Sequence, residues 1–242
     1  MASVPAIELR KISKHFGSKV LLKDVNLQIQ EGESFALIGP SGQGKSVLMK
    51  IMAGLVPPTA GEVLVRGKNL LLIRGKEMQE LSQTVGMLFQ KNALFDSITV
   101  GENVAFPMRE ISHSAEDKID ESVRFFLNAV DILHAKDLFP DEISGGMQKR
   151  LGIARALALR PKIVFYDDPT AGLDPITSRK IVQLILALQK ESGATVVSIT
   201  NDMSRAYELG NRIGMVVDGE LLITGSPQET KAHQDPRVYQ FI

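Results

Sequence analysis

An α/β fold is predicted by three observations. Short apolar, β-branched runs at Ser34–Ile38, Val85–Phe89, Ile163–Asp167 and Ala194–Thr200 alternate with stretches of helical periodicity, the pattern of a mainly parallel sheet covered by helices. The first of these runs feeds a glycine-rich loop that opens a helix. Ahead of it, residues 7–12 and 22–29 alternate apolar with polar, which predicts an N-terminal antiparallel β patch. Residues 91–142 read as more helical than their flanks and are expected to form an α-helical subdomain inserted between two strands. Residues 1–90 and 143–242 would then form the core of a single domain of 242 residues.

The first elements set up a phosphate site. A turn at His15–Ser18 follows the strand Ile7–Ile12, and Leu22–Ile29 alternates again. Phe16 stands in that turn, where it can stack on a purine or pack into the small sheet; the pattern leaves both open. Glu31–Glu33 turns into Ser34–Ile38, and Gly39-Pro40-Ser41-Gly42-Gln43-Gly44-Lys45-Ser46 follows. This fits the P-loop pattern G-x-x-x-x-G-K-[ST]. Glycines at 39, 42 and 44 admit backbone angles closed to side chains, so several amides can converge on one anion. Lys45 is placed to reach the β- and γ-phosphates of a nucleotide, and Ser46 to offer its hydroxyl to Mg²⁺. A helix over 46–54 begins there, with Val47 in its first turn, so phosphate meets a helix N-terminus. The core is therefore expected to be a P-loop NTPase core that binds ATP with Mg²⁺.

The remaining elements add polar groups at strand ends. Pro57–Gly61 stops the helix, 62–67 is a strand and 77–82 a short helix. Val85–Phe89 reads as a buried strand ending at Gln90, and α/β sheets place ligand contacts at such carboxyl ends. Ser114–Val130 is an amphipathic helix with Ile119, Val123, Phe126 or Leu127, and Val130 on one face. Ser144-Gly145-Gly146 opens a helical run to Leu159 and is either an ordinary helix cap or a second anion site. The strand Ile163–Asp167 ends on two carboxylates, Asp167 and Asp168. Burying such a pair is costly without a cation, so Mg²⁺ is its natural partner in a Walker B strand; a solvated strand end is the alternative. The loop at Asp174 leads into a helix over 176–192, and the strand 194–200 ends at Asn201-Asp202. Asp218-Gly219 marks a hairpin between 212–217 and 220–224. The tail, with Val238, Phe241 and Ile242, can pack on its own domain or on a second subunit.

Composition excludes several classes. The 28 basic and 28 acidic residues balance, so no global field draws nucleic acid. With no cysteine there is no disulfide framework and no thiol ligand or nucleophile. The N-terminus lacks a basic-then-apolar segment, so no signal peptide is expected. No apolar run approaches the roughly 18–20 residues of a membrane span, so a membrane role would need a partner.

The P-loop, Gln90, Ser144-Gly145-Gly146, Asp167 and the Asp174 loop, in this order and spacing, resemble an ABC-transporter ATPase subunit over essentially the whole chain. The signature Ile143-Ser144-Gly145-Gly146-Met147, the segment 87–95 around Gln90, Asn103–Pro107, Asp174–Thr177 and the tail 235–241 further resemble the ATPases of Mla/Mce-type lipid transporters. The resemblance implies the ABC ATPase fold and the following roles. Phe16 stacks on adenine, and residues 39–46 cradle the phosphates. Gln90 helps ligate Mg²⁺ and lies near the permease contact. Ser144, Gly145 and Gly146 meet the γ-phosphate bound by a second subunit. Asp167 is the Walker B carboxylate, and Asp174 belongs to the D-loop. It also implies two subunits, as a homodimer or a heterodimer, closing around two ATP molecules, and an integral-membrane permease. MCE-domain and STAS-domain partners, no nucleic acid, and a place on the cytoplasmic face of a bacterial inner membrane complete the expectation. Ala93, Leu94 and Phe95, beside Gln90, are candidates for the permease contact, with burial in the helical region as the alternative.

Two positions depart from the family pattern. Asp168 stands where Glu normally polarises the attacking water, and Asn201 where a histidine normally meets the γ-phosphate. Asp168 is one methylene shorter and Asn201 cannot carry charge, so slow turnover with intact ATP binding is expected. The leading expectation is the ATPase motor of a lipid transporter. The alternative is a nearly hydrolysis-silent subunit or regulatory module. A role on ribosomes or DNA is disfavoured by the single cassette, the lack of heptads and the neutral charge.

Overall fold

The computed structural model describes residues 4–112 and 115–242. In chain order the elements are β1 (Ile7–Phe16), β2 (Lys19–Ile29), β3 (Ser34–Ile38), α1 (Lys45–Met52), β4 (Ala60–Val65), β5 (Lys68–Asn69), α2 (Lys76–Thr84), β6 (Val85–Leu88), α3 (Val100–Glu110) and α4 (Glu116–Ala129). Then follow α5 (Gly145–Leu157), β7 (Ile163–Asp167), α6 (Pro175–Ser192), β8 (Thr195–Ile199), α7 (Met203–Leu209), β9 (Arg212–Val217), β10 (Glu220–Gly225), α8 (Pro227–Lys231) and α9 (Pro236–Tyr239). They fall into two compact units, one running up to Met78 and resuming over Ala194–Ile242, the other spanning Gln79–Gly193. The predicted helical stretch 91–142 lies inside the second unit, which also takes in β6, β7, α5 and α6.

The first unit holds two β layers. The antiparallel sheet β2-β1-β4-β5 forms from alternating strands: Ile7, Leu9 and Ile12 are buried while Glu8 and Arg10 pair with each other on the outside. β1 runs farther than expected, because Phe16 still pairs with Lys19; only Gly17 and Ser18 are left for the turn. The second layer has β3 between β8 and β9, parallel to both, with β10 returning antiparallel beside β9. Every residue of β3 and β8 is buried, as continuous apolar runs in a parallel sheet require. The tail packs on this unit: Val238 is buried among Ala36, Ile38, Ala206, Ile213, Met215 and Val217, with Phe241 partly buried against them.

In the second unit β6 and β7 pair in parallel. The expected fully buried run at β6 is buried on one face only, with Gly86 and Leu88 covered and Val85 and Met87 half-buried. Gly86 is required by close approach: a Cβ there would lie 2.2 Å from the carbonyl oxygen of Ala156 on α5. α4 buries Ile119, Val123, Phe126 and Leu127 on one face, as its spacing predicts. Ser114, the predicted first residue of that helix, lies outside the described residues. α3 is a helix that periodicity left undelimited, since Pro107 within it reads as a breaker. Thr99 caps it by accepting the Glu102 amide at 3.2 Å.

Candidate nucleotide site

In the first unit the P-loop is shaped by backbone. Gly39 leaves β3 at φ 133°, and a Cβ there would fall 2.2 Å from the carbonyl oxygen of Val216 on β9. No other residue type fits that path. Gln43 accepts the Asp218 amide at 3.1 Å, tying the loop to the β9–β10 turn. α1 starts behind Gly44, which has no side chain with which to cap the first amides. Lys45 is buried, and its ammonium donates to the carbonyls of Gly39 at 2.6 Å and Pro40 at 2.9 Å, so the charge is held across the loop. Ser41 and Gly42 are exposed at the loop tip, and Ser46 and Val47 are half-buried in the first turn of α1.

Asn201 and Asp202 follow β8, which lies beside β3 in parallel register, so this segment and the P-loop leave neighbouring strands at the same edge. Asn201 is exposed. Asp202 caps α7 by accepting the Arg205 amide at 3.3 Å. Phe16 is 55% exposed instead of packing into the sheet, and the Lys14 ammonium sits 5.0 Å from its ring centroid.

In the second unit, parallel pairing of Leu88 with Tyr166 puts Gln90 level with Asp168 at the strand ends. Asp167 is buried, and Asp168 is half-buried with φ 49°, a left-handed conformation that Asp tolerates better than most side chains. Tyr166, before them, is fully buried, and burial pushes its phenol well up. Lys149 of α5 is buried as well and donates to the Gln90 carbonyl at 2.5 Å. Burial lowers the Lys149 pKa, while the carboxylates of Asp168 and Asp167 pull it back up. Farther along α5, Arg155 donates to the Ala93 carbonyl and lies 4.6 Å over the Phe95 ring.

Ser144 and Asp174 are both helix caps. Ser144 accepts the Met147 amide at 3.3 Å at the start of α5. The Asp174 carboxylate accepts the amides of Ile176 and Thr177, both at 3.0 Å, at the start of α6, and hydrogen bonding from Thr177 holds its pKa below the usual range. With Gly145 and Gly146 they line one open depression of about 560 Å³, which also takes in His134, Arg150 and Lys180. Gly146 and Thr177 approach so closely that a Cβ on the glycine would lie 3.1 Å from the threonine methyl.

The residues present fit a magnesium nucleotide. Among the described residues no three His, Cys, Asp or Glu are grouped to hold a metal by themselves. The expected donors are instead a hydroxyl (Ser46) in the first unit and, in the second, an amide oxygen (Gln90) and one carboxylate (Asp167). Such a sparse set of hard oxygen donors suits Mg²⁺ that arrives with its phosphates. The P-loop offers the phosphates an uncapped helix start and a buried ammonium.

A family model described as ABC transporter matches residues 22–171. The chain belongs to the ABC transporter ATPase family. It is 38% identical, over 98% of its length and 68% of the other's, to the "Probable ribonucleotide transport ATP-binding protein mkl" of Mycobacterium leprae. It is 35% identical, over 98% of its length and 89% of the other's, to the "Intermembrane phospholipid transport system ATP-binding protein MlaF" of Haemophilus influenzae. Among solved structures, the dimeric ATP-binding cassette MJ0796, bound to ADP and Pi after hydrolysis, superposes with a TM-score of 0.81 at 34% identity, covering 89% of this chain and 96% of that one. The fold is thus that of an ABC ATPase cassette, and the chain is an ATPase of that class. A hydrolysis-silent module finds no support in these relatives.

Sequence reasoning missed Lys149, Arg150, Arg155, His134 and Lys180. One signal for Lys149 was available: it falls four residues before Ile153, on the buried face of α5, where an unpaired lysine does not belong.

Proposed function

We propose that this cassette is the motor of a lipid transporter of the Mla/Mce type. The observation that carries the reading is the match to MlaF over 98% of the chain, which takes in P-loop, signature, D-loop and tail alike. Residues 39–47 hold the triphosphate, with Lys45 on the β- and γ-oxygens and Phe16 under the base. Ser46, Gln90 and Asp167 would hold Mg²⁺, which would supply positive charge against the charge that builds on the transferred phosphoryl group. Asp168 orients the attacking water, and Asn201 donates to the γ-phosphate. The depression lined by Ser144, Gly145, Gly146 and Asp174 receives the γ-phosphate of a nucleotide held by the second subunit.

ATP is then a contact that exists only in the closed dimer. Hydrolysis and phosphate release remove it, and the dimer reopens. That cycle drives an integral-membrane permease docked near Ala93, Leu94 and Phe95, of which Phe95 is 37% exposed. No helix among the described residues is long and apolar enough to cross a membrane, so the permease supplies the spans. MCE-domain and STAS-domain proteins would complete the assembly at a bacterial inner membrane.

A second cargo has its own support, since Mkl is named for ribonucleotide transport. Steady-state phosphate release by the wild-type protein, Lys45→Ala and Asp168→Glu tests the motor: turnover that Lys45→Ala abolishes is the expected result. The complex purified with its permease tests the cargo, since stimulation by phospholipid and not by ribonucleotide is expected.

A further inference from the structure

We propose that Lys149 is a positioning residue of the ATPase site, which fixes the Gln90 segment against helix α5. The proposal rests on the ATPase reading of Gln90 and Asp167 given above. Lys149 is 4% exposed, and lysine is almost never buried without a partner. Its partners here are all site residues. The ammonium bonds the Gln90 carbonyl at 2.5 Å, and the two carboxylates at the end of β7 act on it electrostatically.

The geometry around Lys149 shows why one side chain can govern that segment. Asn92 and Ala93, just past Gln90, both sit at positive φ, 59° and 52°, an uncommon conformation for alanine above all. α5 holds it from both ends, with Lys149 on the Gln90 carbonyl and Arg155 on the Ala93 carbonyl. The helix lies close enough because Gly86 lets the backbone of β6 approach Ala156. The same helix is capped by Ser144, so the residues proposed to meet one nucleotide and the side chains that hold the segment proposed to meet the other are carried on a single helix. A methionine at 149 would fill the space but leave the Gln90 carbonyl without its donor and the carboxylate pair without its buried cation.

The experiment compares wild type, Lys149→Met, Lys149→Arg and Lys45→Ala as full-length chains, reading kcat, fluorescent ATP-analogue affinity and melting temperature. Lys149→Met is expected to lower kcat by about 10- to 100-fold, the usual cost of removing a group that orients a site ligand. Analogue affinity and melting temperature should stay near wild type, and Lys149→Arg should restore most of the turnover. A wild-type kcat in Lys149→Met, beside an inactive Lys45→Ala, overturns the proposal while leaving the ATPase reading intact. Loss of kcat, affinity and melting temperature together, in both the Met and Arg variants, also overturns it by showing a merely structural role. Turnover that survives Lys45→Ala overturns the site assignment itself, and Lys149's role with it.

Discussion

The two units present their site residues by different physics. In the first, the P-loop is built from main chain: three glycines at positive φ, a helix start with no side-chain cap, and an ammonium bonded to the loop's own carbonyls. In the second, the site segments are held by side chains, some of them distant in sequence. Lys149 and Arg155 fasten 90–93, Asn103 fastens 95–99, and Ser144 and Asp174 cap their helices. A backbone-built site tolerates almost no substitution in the loop itself. A side-chain-built site is more sensitive at the remote residue than in the segment it holds.

The largest test of that contrast is Gly39→Ala. An added methyl would lie 2.2 Å from the Val216 carbonyl oxygen on a residue already at φ 133°. ATP turnover should fall about 100-fold or more, since strain of this kind moves the whole anion cradle. Near-normal turnover in this variant would break the claim that backbone shape makes the loop.

Next is the double variant Asp168→Glu with Asn201→His, one change in each unit. Reach and charge both return to the family pattern, and kcat should rise about 10-fold or more. The gain should come mainly from Asp168→Glu, because Asp167 beside it is buried and Asp168 half-buried whereas Asn201 is exposed. A steady-state assay of the two single variants beside the double decides it; no gain from any of them would show that Asp168 already positions the water.

How much was legible follows the same division. The P-loop could be read directly, because eight adjacent residues carry the whole device and the strand and helix around it keep strict periods. Gln90 and Asp167 were legible as polar residues at the ends of apolar runs, and Ser144 as a cap or anion site where Ser-Gly-Gly opens a helical run. Arg155 was not, and for Lys149 the spacing from Ile153 marked only its face, since the value of both depends on a segment about 60 residues away meeting one face of α5. α3 was blurred by Pro107, which the helix tolerates in its last turn. The extra length of β1 was hidden by its bulges, which break the strict alternation.

Asn103→Ala probes the side-chain half at a residue that carries no proposed nucleotide contact. Asn103 is fully buried and accepts from the Phe95 amide at 2.9 Å, while its amide nitrogen donates to the carbonyls of Phe95, Ile98 and Thr99 at 3.0 to 3.2 Å. One side chain thus knits a five-residue loop to α3. Truncation should cost about 2–3 kcal/mol, because several backbone groups lose their partner at once. Urea unfolding measures the loss, and faster amide exchange confined to 95–99 would locate it. An unchanged midpoint would show that the loop holds its shape without Asn103.

The smallest expected effect is at Asp120, which also works by side-chain clamping but with its carboxylate about half exposed to solvent. It pairs with Arg124 at 2.8 Å and with Lys136 at 2.5 Å. Hydrogen bonds from Arg124 and then Lys136 lower its pKa from 3.8 to about 2. The folded value is depressed, so its contribution is complete above the unfolded value of 3.8 and is lost as the pH falls toward 2. Solvent screens the pair, so Asp120→Asn should lower the melting temperature only slightly at neutral pH, and less with added salt. The gap between variant and wild type should close as the pH falls from 3.8 toward 2. A large gap at neutral pH, or one that persists unchanged in acid, would show that Asp120 acts through packing and not through charge. The clamps of the second unit would then owe less to electrostatics than the buried Lys149 implies.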